Sequence, residues 1–197
     1  MDLQLVLIGT EPLLMHNEQL ADPLNTYSKL LKPLTSKRAN QKTDQDHLDI
    51  AMYEFLGGLY YSEHVGVYIP FKNIRACFYD GGTFTRQGTI VQAAIKCLLP
   101  EIPLLYTGPK SGEELWKQGF YSRDGVGINR GSRTMRTRPK FPIGWQLAFD
   151  LLLDPEILNL EDLTRIVHTA GERVGLGGNR INGFGRFEAT IKEVRHA

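Results

Sequence analysis

Leu3, Leu5 and Leu7 alternate with Asp2, Gln4 and Val6 at the start of the chain, which predicts a strand bordering the core and stopped at Pro12. Residues 17–42 carry Lys, Asn, Ser, Thr and Pro with little periodicity, so they read as a long loop or flexible insertion. Thr43 and Asp44 can cap a helix whose apolar stripe is Leu48, Ala51, Met52, Phe55, Leu56 and Leu59, weakened at its end by Gly57-Gly58. A short strand over 65–69 leads through Pro70 into a helix with Ile74, Cys77 and Phe78 on one face. Gly81-Gly82 and Gly88 mark a break. Ile90, Val91, Ala94, Ile95 and Leu98 then predict a further helix ended by Pro100, and 104–107 a strand.

The second half is clearer. Residues 145–153 are the most strand-like stretch of the chain. Asn159 is a good N-cap with Asp162 three residues on, and Leu163, Ile166, Val167, Ala170 and Val174 form the buried stripe of the helix it opens. After a glycine-rich loop, residues 187–194 alternate again as a closing strand. Two units of strand, helix and strand predict an α+β, ferredoxin-like (RRM-like) fold: an antiparallel sheet with helices on one face and a long basic insertion after the first strand. With no repeat and no linker, residues 1–197 read as a single domain in which 17–42 is the insertion.

Composition adds little until charge is placed along the chain. Apolar residues make up 42% of the sequence and charged residues 23%, as in an ordinary globular protein, and the formal net charge is +1. Lys29, Lys32, Lys37, Arg38 and Lys42 nonetheless follow one another with no acid among them, and residues 123–140 carry six basic residues against Asp124. Segregation of this kind gives a strong local positive field at neutral net charge. Cys77 and Cys97 lie on predicted core faces and read as reduced residues of a cytoplasmic protein. The first residues are too short and wrongly flanked for a signal peptide, and no apolar run reaches the length of a membrane span.

Two segments carry candidate chemistry. Residues 174–187, reading VGLGGNRINGFGRF, interleave five glycines with Arg180 and Arg186, and Arg173 precedes them. Glycine lets another backbone approach closely, and arginine offers a planar fork matched to phosphate oxygens. The spacing excludes a dinucleotide fingerprint, because the sixth position counted from Gly175 is Arg180 and the loop follows a helix; no GK[ST] ending exists. Gly177, Gly178, Arg173, Arg180, Phe184 and Arg186 are therefore candidates for holding a nucleic-acid backbone. In the second segment an extended chain places Arg130, Arg136, Arg138 and Lys140 on one side and Arg133 on the other. Such a basic strand, expected in the same sheet as the closing strand, would contact phosphates, with Lys37, Arg38 and Lys42 of the insertion as a clamp. Tyr121, Phe141, Trp145 and Phe184 are candidate stacking platforms, Trp145 reading more readily as core.

Metal and cofactor chemistry find no support. There is no CxxC, HExxH or GxSxG, and His47, His64 and His196 show no ligand spacing with one another or with the cysteines. Asp22, Asp44, Asp46 and Asp49 could be gathered for a metal, yet Asp46 and Asp49 also suit an exposed helical face. No cofactor and no metal are expected. His168 reads as a packing residue.

At this point the sequence resembles a family. A last helix running into a glycine-rich loop and a short Gly-Arg-Phe strand is similar to the RAMP superfamily of CRISPR-associated proteins, above all their guide-RNA-binding backbone subunits. The opening strand followed by EPLLMHN resembles the first strand and loop of those proteins, and the basic insertion stands where they carry a thumb-like extension. LLMHN, the arginine strand and GLGxxRxxGFGRF also resemble small bacteriophage proteins. The likeness is good at the ends of the chain and poor in the middle. It implies RRM-like topology, nucleic-acid binding and self-association of copies along a strand, and no particular substrate. The glycine-arginine loop and the two basic segments make a non-enzymatic binder of single-stranded RNA or DNA the expected function. Two alternatives stay open. Related RAMP endoribonucleases use a histidine as general acid or base, which points to His16 as the catalytic residue of a metal-independent nuclease. A phage protein that contacts a host defence complex would also fit the near-neutral charge.

Overall fold

The structure is a computed structural model that describes residues 1–127 and 133–194. The chain forms two compact units, one from residues 1–13, 62–107 and 142–197, the other from residues 14–61 and 108–141. Segment 17–42 thus belongs to the second unit together with the basic strand. No helix among the described residues is long and apolar enough to cross a membrane.

The first unit is built on four antiparallel strands. β1 (Asp2–Gly9) lies between β9 (Gln146–Leu153) and β10 (Phe187–Glu193), and β5 (Ile95–Lys96) extends the far edge of β9. Register places Leu3 opposite Leu151, Leu5 opposite Phe149 and Leu7 opposite Leu147, all buried on one face. Each such side chain stabilises the fold by about 1.5–3 kcal/mol through loss of contact with water. α3 (Phe71–Thr83) and α6 (Leu160–Thr169) supply Ile74, Phe78, Leu163, Ile166 and Val167 to the core. Asn159 caps α6 by accepting from the Asp162 amide at 2.8 Å, as its position in the sequence predicts. β4 (Gly66–Pro70) pairs antiparallel with β6 (Glu101–Pro103) in a separate sheet, α3 and α4 lying between them in the chain.

Three sequence expectations fail in this unit for identifiable reasons. α3 runs through Gly81-Gly82 instead of breaking there, because α6 leaves no room for a side chain: a Cβ on Gly81 would lie 2.8 Å from the Ile166 carbonyl. α4 (Gly88–Ala94) stops four residues before Leu98, since Ile95 and Lys96 pair with Leu153 and Leu152. Leu98 is exposed. Cys77 is buried, its thiol donating to the Gly175 carbonyl at 3.2 Å and pushed up to about 12 by burial, whereas Cys97 is only half-buried.

The second unit packs α1 (Thr26–Thr35), α2 (Asp44–Gly58) and α5 (Gly112–Lys117) with the hairpin of β7 (Tyr121–Gly127) and β8 (Arg133–Phe141). The expected loop thus contains a helix. Asn25 caps α1 by accepting from the Tyr27 amide, and Tyr27, Leu31 and Leu34, spaced i, i+4 and i+7, are half-buried on one side despite Pro33. Phe55 of α2 lies against Trp116 (5.5 Å between ring centres) and Tyr121 (6.3 Å), and those two rings stack at 4.5 Å.

α2 opens on a capping box. The Thr43 hydroxyl accepts from the Asp46 amide, and the Asp46 carboxylate accepts from the Thr43 amide and from Lys37 Nζ at 2.6 Å. The Lys37 bond and the Thr43 amide bond hold the Asp46 carboxyl at about 2, below its ordinary 3.8. A depressed carboxyl contributes stability above its unfolded value and loses it as pH falls toward its folded one. Thermal melts should therefore show the wild type losing its advantage over Asp46→Asn between about pH 4 and pH 2. Parallel melting curves for the two proteins across that interval would show that the charge of the Asp46 carboxylate contributes nothing.

Candidate nucleic-acid interface

β8 carries four basic residues, Arg133, Arg136, Arg138 and Lys140. Thr137, Pro139 and Phe141 point into the second unit and are buried; Arg136, Arg138 and Lys140 alternate with them on the other face. Successive cations on that face are about 6.6 Å apart, two residues of strand rise, comparable to the separation of neighbouring phosphates in an extended single strand.

Two clefts adjoin along this strand. The larger, ≈ 570 Å³, is lined by Lys42, His47, Glu54, Arg123, Arg133 and Arg136 among others. The smaller, ≈ 350 Å³, is lined by His16, Leu31, Glu54, Val126, Arg136 and Arg138 among others. They share Glu54, Arg136 and Thr137, and Glu54 is the single acid in either lining. Lys42 of the insertion lines the larger cleft together with Arg123, Arg133 and Arg136. Lys37 is engaged by Asp46, and Arg38, exposed, lines neither cleft. Arg130 lies outside the described residues.

Glu54 organises the site and was not a candidate from sequence. Its carboxylate, 5% exposed, accepts from Arg136 Nη1 at 2.7 Å and from the Thr137 amide at 2.8 Å. Arg136 is half-exposed, so the pair anchors one end of the guanidinium and leaves the rest of it in the cleft. A signal did exist: Ala51, Glu54, Phe55 and Gly58 are spaced i, i+3, i+4 and i+7, and all are buried. That places an acid on an apolar face, where it needs a partner. Leu48, expected in the stripe, is 53% exposed because the buried face is rotated toward Glu54.

His16 stands at the surface beside these groups, held by its backbone carbonyl, which accepts from the Tyr60 hydroxyl at 3.2 Å. Partial burial, then the charges of Arg138 and Arg136, lower its pKa from 6.5, with Glu54 opposing. The imidazole is neutral near pH 7.

The glycine loop is a different structure in the first unit. The Leu176 amide donates to the Gly185 carbonyl and the Gly185 amide to the Pro12 carbonyl, both at 2.8 Å, so the loop closes on itself. Its two ends approach so nearly that a Cβ on Gly185 (φ +73°) would lie 1.8 Å from the Leu176 carbonyl oxygen. Much of the glycine content therefore serves this closure. Arg180 is paired with Asp80 at 2.8 Å, and Arg173, exposed, lies over the Phe84 ring at 5.6 Å. Arg186 is half-buried, and its Nη1 is buried without a hydrogen-bond partner among the described residues. Gly177, Gly178 and Phe184 are half-buried. The loop feeds β10 of the four-stranded sheet, whereas β8 pairs with β7 in another; the expectation that loop and arginine strand share one sheet is corrected. Of the four candidate stacking rings, Trp145 and Phe141 are core residues, Trp145 Nε1 donating to the Glu11 carbonyl at 2.9 Å. Tyr121 is committed to Trp116.

No family model and no curated protein matches the sequence. Solved structures do resemble the fold. One is a chain of the cryo-EM structure of the Type III-B Cmr-beta bound to cognate target RNA, 10% identical, with 97% of this chain and 59% of that chain covered and a TM-score of 0.50. The protein thus spans about three-fifths of that neighbour's length and shares with it a mixed α/β architecture of antiparallel sheets.

Proposed function

We propose that the protein is a non-enzymatic binder of single-stranded nucleic acid, RNA in the first place, that holds the phosphate backbone along β8. The observation that carries this is the pair of adjoining clefts in which Lys42, Arg123, Arg133, Arg136 and Arg138 face a single acid, Glu54. Phosphate neutralisation by such side chains supplies most of the affinity of sequence-independent binding. One architectural neighbour is a chain of the Type III-B Cmr-beta bound to cognate target RNA, which agrees with the RAMP-like motifs of the sequence. The strand order β10-β1-β9-β5, with helices between β1 and β5 and between β9 and β10, supports a ferredoxin-like reading of the first unit.

A second reading, a metal-independent endoribonuclease, is favoured by one observation: a neutral His16 beside Arg136 and Arg138 has the chemistry of a general base next to anion-holding groups. Anisotropy titration of labelled single-stranded RNA and DNA at two salt concentrations tests the first reading. Binding that weakens steeply with salt, and a probe still intact on a denaturing gel, are expected. Absence of binding at low salt would sink the proposal, and a cleaved probe would favour the nuclease.

A further inference from the structure

We infer that the smaller cleft is a seat for one phosphodiester group, and that filling it draws a proton onto His16, which becomes a third donor beside Arg136 and Arg138. The inference rests on the nucleic-acid-binding reading above and goes beyond it, because it gives His16 a role in binding and makes affinity depend on pH.

The geometry is specific to this cleft. Arg136 and Arg138 stand two residues apart on one face of β8, and His16 lines the same ≈ 350 Å³ space from the segment after Leu14. Among the described residues the remaining lining is Leu20, Ala21, Leu31, Val126 and Thr137, none of which titrates, with Glu54 as the one acid. Glu54 is already engaged by Arg136 Nη1 and the Thr137 amide, so its charge is largely answered. Arg138 forms no ion pair among the described residues. Positive charge therefore outweighs negative in the cleft, and burial first, then this charge, lowers the imidazole pKa.

A phosphodiester carries one negative charge and only acceptor oxygens. Seated between the two arginines, it offsets the positive charge that disfavours the imidazolium and offers acceptor oxygens to its N–H groups, which are stronger donors in the charged form. The His16 pKa is then higher in the complex than in the free protein. Linkage fixes the direction: affinity is constant above the complex value, rises as pH falls between the two values, and levels off below the free value. The shared ligand chemistry is a phosphodiester; a free phosphate monoester, itself titrating near pH 6, lacks the neighbouring groups that would occupy the larger cleft.

The test is anisotropy at constant ionic strength with a tetramethylrhodamine-labelled oligouridylate, in which neither label nor bases titrate between about pH 5 and pH 8. Wild type should bind about threefold to tenfold more tightly at the acid end, since each unit of pKa rise is worth a factor of ten. His16→Gln should give a flat profile. His47→Gln, altering the histidine of the larger cleft, should keep the slope, whatever its affinity. Calorimetry in two buffers of different ionisation enthalpy should show net proton uptake by wild type and none by His16→Gln. A flat wild-type profile with salt-sensitive binding overturns this inference and leaves the binding reading standing. A slope that survives in His16→Gln, or disappears in His47→Gln, also overturns it. No binding at any pH removes both.

Discussion

Replacing Lys42, Arg133 and Arg138 together by alanine is expected to weaken single-strand binding on the order of thirtyfold to a hundredfold at low salt. These three line the clefts without anchoring the fold, whereas Arg136 answers the buried charge of Glu54 and its removal would strand that carboxylate. The more diagnostic readout is the slope of log affinity against log salt. On a single strand each phosphate contact contributes about 0.7 to it, so losing three should flatten it by about 2. Sequence preference should not change, because phosphate contacts position the strand without reading bases. An unaltered slope in a folded triple variant would move the interface away from β8.

Gly185→Ala is the substitution with the largest expected effect on stability. The new methyl group would lie 1.8 Å from the Leu176 carbonyl oxygen, a backbone atom that cannot swing aside, and the residue would be held at φ +73°. A cost of about 3 kcal/mol or more follows from the clash and the left-handed backbone together, which for a chain of this size lowers Tm by about 10 °C. Gly183→Ala is the matched control: its φ is +88° but the space around a Cβ is open. It should cost only about 1 kcal/mol, the left-handed penalty alone. Calorimetric melting separates the two. Equal losses in both variants would mean that the loop relaxes, and that its closure is not what fixes the glycine.

Periodicity made the elements of the first unit legible wherever burial is one-sided. Leu3, Leu5 and Leu7 alternate because one face of β1 meets the core, and Asn159 and Asp162 mark α6 because a helix start needs acceptors for its free amides. The failures share a cause: partners distant in sequence overrode local preference. Gly81-Gly82 looks like a break and is a close approach to α6; Ile95 looks helical and pairs with Leu153. α1 was hidden because Pro33 and the surrounding lysines mask a stripe of three apolar residues.

The candidate site divides in the same way. Alternation along residues 133–141 placed Arg136, Arg138 and Lys140 on one face without any knowledge of the fold. Glu54 lies more than eighty residues from its partner Arg136 in the chain, and no local pattern announces such a pair. In the glycine loop, composition suggested ligand binding where geometry shows backbone meeting backbone.

The central place of β1 has a consequence for how the chain acquires its structure. Its two hydrogen-bonding edges are taken by β9 and β10, so Leu3 finds Leu151 and Glu193 as its neighbours. During synthesis the first strand emerges with both edges bare and an apolar face of three leucines, and neither partner exists until some 140 further residues have been added. The four-stranded sheet must therefore assemble late, through contacts of long sequence separation, which slows folding and leaves a sticky intermediate. The hairpin of β7 and β8 needs no such wait, since it closes over a short connection. Basic surface should thus be in place before the sheet of the other unit has formed.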